Sequence, residues 1–530
     1  MFSTISTAAI CGMEAVMVHA EVDISQGLPS FQMVGYLGSE VKEAGERVRV
    51  ALKNMGIAIP PMRITVNLSP ADIRKSGTGY DLPVAVGILQ ALGHVEAWQT
   101  ENVMFVGELS LDGEVNEVRG VLPMVRAARA EGMRRCIVPW ENEKEGARIP
   151  DMEITGVSSL EEVAELLKGK SLEKKKADRW KSGKSGKRTE ENGLSAAVRC
   201  DRSGREGQIP DFAEVSGQAG AKRAAEIAAA GFHNLLLLGP PGSGKTMIAK
   251  RIPGILPELT EEESLEVSSV YSISGLLSHK NPFISTRPFL SPHHTITAQA
   301  LSGGGRHPKP GIISLAHKGV LFLDEMPEFG TKILDMLRQP LEEKKIQIAR
   351  MGGSCEYPAD FMLVGAMNPC PCGYYPDMGR CRCTQEAVRR YQEQLSGPIL
   401  DRIDICAEVL PLSMEELASG SGQVESSAVI RARVLRARER QEKRGGRFNA
   451  ALTPEEIGHF CKLDGEGKRM LEKAFGKMKL SARAYHRILR VARTIADLDG
   501  SEKIGKLHLA EAVSCRMAGS RYWNEPGMKR

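Results

Sequence analysis

The eight residues Gly239-Pro240-Pro241-Gly242-Ser243-Gly244-Lys245-Thr246 follow the spacing G-x-x-x-x-G-K-[ST]. Glycines at these places let backbone N–H groups close around phosphate oxygens at the positive end of a helix. Lys245 is then the cation that reaches the β- and γ-phosphates, and Thr246 the hydroxyl that ligates Mg2+. The apolar run Leu235-Leu236-Leu237-Leu238 before the motif reads as a buried strand, and Met247 to Arg251 after it reads as a helix. A chance glycine-rich turn would need neither flank. The chemistry these residues imply is binding of a nucleoside triphosphate.

A second apolar run, Val320 to Leu323, leads into Asp324-Glu325. A buried parallel strand ending there places both acids at the sheet edge where ligands bind. Asp324 would hold the Mg2+ water shell and Glu325 would orient and polarise the attacking water. Alone, a strand ending in two acids is common; about 80 residues after a phosphate loop it takes on this meaning. The strand Phe361–Gly365 is followed by Asn368, an amide placed to sit between Asp324 and the water and to sense the γ-phosphate. Arg402, in Ser396-Gly397-Pro398-Ile399-Leu400-Asp401-Arg402-Ile403-Asp404, is either a surface ion pair or an arginine finger acting in a neighbouring subunit's site. Arg483 and Arg487 lie one helical turn apart, so either could reach the nucleotide from a lid, Arg483 being preferred.

Cys370-x-Cys372 and Cys381-x-Cys383, eight residues apart, supply four thiolates, enough for one tetrahedral Zn2+. Free thiols or a redox pair are the alternatives, because zinc ribbons usually space their pairs more widely.

The elements that must position these groups fall into distinct stretches. A chain of 530 residues is too long for one core and suggests about three domains. Residues 1–167 alternate β-rich segments (Ala15–Ile24, Arg63–Leu68, Val103–Glu108, Cys136–Val138) with helical ones (Glu40–Met55, Leu82–Leu92, Leu122–Glu131). Residues 168–208 are rich in Lys, Ser, Gly, Glu and Arg and read as a basic, flexible linker. Residues 209–412 are α/β, and residues 413–530 are helical, with Ala428–Lys443 and Arg483–Leu498 at helix period. The net charge is +5, but Lys168 to Arg188 alone contribute +8, leaving −3 elsewhere. Overall basicity is therefore no argument that the folded parts bind nucleic acid. No apolar run approaches the roughly 20 residues of a membrane span, and no Lys or Arg precedes Lys42, so a secretory n-region is not expected. Eleven cysteines in such a chain suggest reduced thiols and a cytoplasmic location.

In this order the motifs resemble those of an AAA+ ATPase, more narrowly the magnesium-chelatase-like family of ComM/YifB type, over about residues 1–515. The resemblance is carried by Asp211-Phe212-Ala213-Glu214-Val215-Ser216-Gly217-Gln218, Arg287-Pro288-Phe289-Leu290-Ser291-Pro292-His293-His294, Gly303-Gly304-Gly305, Asn368-Pro369-Cys370-Pro371-Cys372-Gly373 and Ser396–Asp404. It implies an α/β AAA+ P-loop core with a C-terminal helical lid, ATP and Mg2+ as cofactors, and a hexamer whose finger acts between protomers. It also implies a helix-2 insert at about 270–312 and a hairpin over Glu342–Arg350, whose Lys344, Lys345 and Arg350 would grip single-stranded or branched DNA. A merely solvated hairpin is the alternative.

The N-terminal stretch resembles the α+β Lon-protease fold through Phe105–Val115, Ala127–Gly132 and Ile137-Val138-Pro139. That fold's serine position falls near Asp81, and no Lys lies between Val121 and Gly132 where the lysine is expected. Without nucleophile or base there is no acyl transfer, so a binding or assembly module is expected. The leading functional expectation is a DNA motor, for helicase or branch-migration work. A magnesium-chelatase-type ATPase subunit that remodels a protein partner is the second. A non-catalytic scaffold is disfavoured because both Lys245 and Glu325 are present.

Overall fold

We describe a computed structural model over residues 1–170, 209–305, 308–350, 353–411, 425–478 and 481–520. The basic stretch taken as a linker lies, from 171 to 208, outside the described residues. Among those described, no helix is long and apolar enough to cross a membrane.

The nucleotide-binding part is built on five parallel strands in the order Phe289–Leu290, Val320–Leu323, Met362–Met367, Leu235–Leu238, Ile405–Glu408. The strands are short and apolar because both faces are covered. Leu235 and Leu237 point into a core shared with the helices Ala219–Gly231 and Lys245–Ile255 and with the C-terminal helices. Leu236 and Leu238 point the other way, among Leu301, Ile312, Leu315 and Tyr357. Period-two alternation thus assigns successive residues of one strand to two different cores. Because the strands run in parallel, every loop following a strand opens at one edge of the sheet and every loop preceding one at the other.

The N-terminal part has a mixed seven-stranded sheet, ordered Ser30–Val34, Arg63–Ser69, Glu14–Ser25, Phe2–Cys11, Val103–Phe105, Arg135–Pro139, Glu153–Val157. The helices Ala44–Asn54, Asp81–Ala91 and Val121–Ala130 pack on it. It meets the nucleotide-binding part along the helix Glu261–Ser274, where Gly120 N donates to Ser272 O at 3.1 Å and Ser272 Oγ to the buried Glu145 at 2.5 Å. Asp81, the residue standing where a nucleophile was sought, is fully buried and accepts two hydrogen bonds from Arg47, at 2.7 and 2.9 Å. Burial pushes its carboxyl up to about 6 despite Arg47. Asp81 is an anchor for the helix it begins.

Beyond residue 424, helices Ser427–Gly445, Pro454–Phe460, Gly465–Met478, Ala482–Leu498 and Lys506–Ser520 form the C-terminal part. A buried polar network joins it to the core: Asp497 accepts from Arg444 (2.6 and 3.0 Å), Arg493 (3.1 Å) and Asn449 (2.8 Å). Asn449 also donates to Thr494, whose hydroxyl meets His233 of the core at 2.8 Å. Asp497→Ala would leave the buried Arg493 guanidinium and the partly buried one of Arg444 without their carboxylate, so we expect a loss of roughly 3 kcal/mol in the unfolding transition of this part. Denaturant titration followed by far-UV circular dichroism checks it; a loss under about 1 kcal/mol would mean the network is solvated.

The stretch 270–312, expected to carry an insert, includes the edge strand Phe289–Leu290. It also includes a two-stranded hairpin, Gly303–Gly304 with Lys309–Pro310, between the short helices Ala298–Ser302 and Ile312–Leu315. Two paired residues preceded by Pro288 are too short for strand periodicity to show.

Candidate nucleotide site

The phosphate loop leaves strand Leu235–Leu238 and enters helix Lys245–Ile255, as the motif requires. Gly239 passes so close to the residue that follows strand Ile405–Glu408 that an added Cβ would sit 2.1 Å from Val409 O, so only glycine fits. Lys245 is nearly buried and distributes its three N–H groups over Gly239 O (2.8 Å), Pro240 O (2.8 Å) and Asn368 Oδ1 (3.1 Å). Desolvation lowers its pKa, while the charges of Asp324 and Glu325 act in the opposite sense. Thr246 Oγ1 donates to Asp324 Oδ2 at 2.8 Å, and Asp324 Oδ1 accepts the Glu325 backbone N–H at 3.0 Å. Hydroxyl and carboxylate therefore stand side by side, an oxygen donor pair that suits an octahedral Mg2+ keeping most of its water.

Glu325 has φ of 50°, the left-handed region, as the chain turns from strand Val320–Leu323 into the 3-10 turn Met326–Phe329. A non-glycine residue held there costs on the order of 1–3 kcal/mol, a strain that clusters at functional positions. The structure thus brings together Gly239 through Thr246, Asp324, Glu325 and Asn368 at one edge of the sheet.

The arginines lie elsewhere. Arg402 and Asp404 precede strand Ile405–Glu408, which is parallel to Leu235–Leu238, so they occupy the edge opposite their own phosphate loop. Arg402 is tied to Arg338 O (3.2 Å), Pro398 O (2.6 Å) and the carboxylate of Glu342. Arg487 is half-sheltered beside Asp404 at 3.6 Å, with burial lowering its pKa. Arg483, one turn before it, is exposed. Among the described contacts, neither Arg483 nor Arg487 is bound to the phosphate loop of its own chain.

Of the hairpin cations, Lys344 pairs with Asp360 at 3.2 Å and Lys345 with Glu356 at 2.9 Å. Both stand at the base of the hairpin Lys345–Arg350/Gly353–Pro358 with their charge balanced, which weakens them as phosphate grips. Arg350 closes the first strand, its side chain outside the described residues.

Three contributors escaped the sequence reading. Gln218 takes φ of 57° and donates to Ser243 O (3.3 Å) and Leu410 O (2.6 Å), tying the phosphate loop to the segment after Ile405–Glu408. Asn234 donates to Arg402 O (2.8 Å) and Asp404 (3.1 Å), fixing the arginine loop. Tyr391 receives the Asn368 backbone N–H. Only Gln218, at the end of the Asp211–Gln218 motif, carried a local signal.

The four cysteine sulfurs lie within 4.8 Å of one another. Separations of 3.4 Å (Cys370–Cys372), 3.8 Å (Cys370–Cys381) and 3.6 Å (Cys372–Cys381) compare with the edge of about 3.8 Å implied by Zn–S bonds of about 2.3 Å in a tetrahedron. They are far longer than a disulfide of about 2.05 Å. Hydrogen bonds from the backbone, that of Tyr374 foremost, hold the Cys372 thiol down at about 6. Size and donor chemistry fit zinc.

This strand order, phosphate loop, acid pair and helical lid define an AAA+ ATPase. Family models agree: one described as magnesium chelatase, subunit ChlI, matches residues 211–417, a second, subunit ChlI of Mg-chelatase, residues 20–142, and a third, the ChlI C-terminal region, residues 424–516. The chain is 44% identical over 516 residues to the competence protein ComM of Haemophilus influenzae, covering 96% of both, and 43% identical over 516 residues to YifB of Escherichia coli, covering 97% of both. It is 25% identical over 325 residues to the magnesium-chelatase 38 kDa subunit of Rhodobacter capsulatus, covering 58% of this chain and 86% of that one. The chain belongs to the ComM/YifB family of magnesium-chelatase-like proteins.

Proposed function

We propose that this protein is a ring-forming ATPase, a hexamer, that couples ATP hydrolysis to movement on single-stranded or branched DNA. Lys245 binds the β- and γ-phosphates, Thr246 and Asp324 hold Mg2+, Glu325 polarises the attacking water, and Asn368 senses the γ-phosphate. Arg402 completes a neighbour's site, with Arg483 or Arg487 alongside it. The observation that carries the ring is the position of Arg402 at the sheet edge opposite its own phosphate loop. A residue so placed serves a site only across a heterologous interface, which closes by rotation. The cysteine loop holds a structural Zn2+.

DNA as the track rests on the likeness to the competence protein ComM, not on the hairpin lysines. The test is ATPase rate with single-stranded, duplex and branched DNA over a salt series. We expect stimulation, with DNA affinity falling linearly on a log–log salt plot by a slope of about −0.7 per phosphate contacted on single strands. A rate indifferent to every DNA would transfer the assignment to the second reading, remodelling of a protein partner. That reading is favoured by the three chelatase-subunit matches along the chain.

A further inference from the structure

The cysteine loop does more than its place in the chain requires. Its first cysteine follows Asn368 by two residues, so the ligand set begins next to the group that receives a hydrogen bond from Lys245. Its turn then leans on the phosphate loop. An added Cβ on Gly373, φ 85°, would lie 2.3 Å from Pro241 Cδ, so the Gly373 backbone packs against the Pro241 ring at a place where nothing larger than glycine fits. The helix Gln385–Gln392, which starts just after Cys383, comes back to the start of the loop: Gln392 Nε2 donates to Pro369 O at 3.1 Å, and the Tyr391 hydroxyl receives the Asn368 N–H. One loop is therefore in contact with both walls of the phosphate pocket, Pro241 on one side and Asn368 on the other.

The loop has little else to hold its shape. Its residues run from buried Cys370 to half-exposed Cys372, Cys381 and Cys383, with exposed Met378 between them. Apart from the Arg380 guanidinium, 4.6 Å over the Tyr374 ring, the described contacts that join its two ends are those of the four sulfurs. A loop of this length without an apolar core needs a cross-link to keep one conformation, and four converging thiolates supply one when they bind a metal.

We propose that Zn2+ bound by Cys370, Cys372, Cys381 and Cys383 is a clamp on the nucleotide pocket: it fixes the distance between the phosphate loop and Asn368, and so sets the affinity for ATP. This rests on the reading of Gly239–Thr246 as an ATP site. The metal takes no part in phosphoryl transfer; its four ligands leave no open position.

The experiment uses the full chain purified under reducing conditions. Zinc is counted by mass spectrometry, and affinity for a fluorescent ATP analogue is measured separately, without reference to turnover. We expect one Zn per chain in the wild type. Cys381→Ser with Cys383→Ser should lose the metal and bind the analogue about 10- to 100-fold more weakly. Gly373→Ala keeps all four thiols and guards against simple misfolding: it should retain the zinc yet weaken binding in the same direction, because its methyl group pushes Pro241 away.

Zinc well below one per chain overturns the metal site. Zinc present in the wild type, lost in the double variant, with affinity unchanged overturns the clamp and leaves the ATP site standing. A zinc-loaded wild type that fails to bind the analogue overturns the ATP reading itself.

Discussion

Glu325→Gln should abolish steady-state ATP hydrolysis while leaving ATP bound. The carboxylate is the only proton acceptor proposed for the attacking water, and loss of a positioned general base costs about 100-fold or more. Binding should survive because the groups that contact the phosphates are untouched. Lys245 stays fixed by Gly239, Pro240 and Asn368, and Thr246 stays on Asp324. The strained backbone at position 325 belongs to the turn, and glutamine, the same size as glutamate, leaves it in place. Equilibrium binding of a labelled nucleotide together with phosphate release distinguishes the two effects. Turnover within about threefold of wild type would remove Glu325 from its role.

Arg402→Ala should also stop turnover, with a loss of about 10³-fold or beyond, as supplying an arginine finger is worth 10³–10⁵ in phosphoryl transfer. The edge position makes a sharper demand. Arg402-deficient chains keep an intact phosphate loop, and Lys245→Ala chains keep an intact finger. Mixed in equal amounts, about a quarter of the interfaces in a ring pair the good halves, and turnover should reappear although neither chain has it alone. If both variants assemble and the mixture stays dead, the site is not shared. Arg402→Lys should not rescue, because the planar fork that now spans Arg338 O, Pro398 O and Glu342 has no counterpart in an ammonium group.

Local patterns were legible wherever a short window contains its own reason. Leu235–Leu238 and Val320–Leu323 were read as strands with the bounds the structure shows, since four buried apolar residues have nowhere else to go. Glycines 239, 242 and 244 with Lys245 declare a phosphate loop because few other uses exist for that spacing. The helix Ala482–Leu498 was placed to within a residue by its period. The strands Phe2–Cys11 and Ser30–Val34 were not distinguished; the latter is an edge strand whose burial alternates only weakly.

What the sequence by itself determined is the chemistry available: which side chains can meet a phosphate, a magnesium ion or a zinc ion, since those choices follow from residue type and spacing along one strand or loop. Tertiary structure alone decided who meets whom. That Lys344 and Lys345 are neutralised by Asp360 and Glu356 depends on how one hairpin pairs; that Gly373 rests on Pro241, and that Arg402 and Arg487 stand across the sheet from their own phosphate loop, depend on the packing of distant segments. The physical reason is that a hydrogen bond or ion pair acts over a few ångströms, and only pairing and folding bring groups well apart along the chain, more than a hundred residues in the case of Gly373 and Pro241, to that distance.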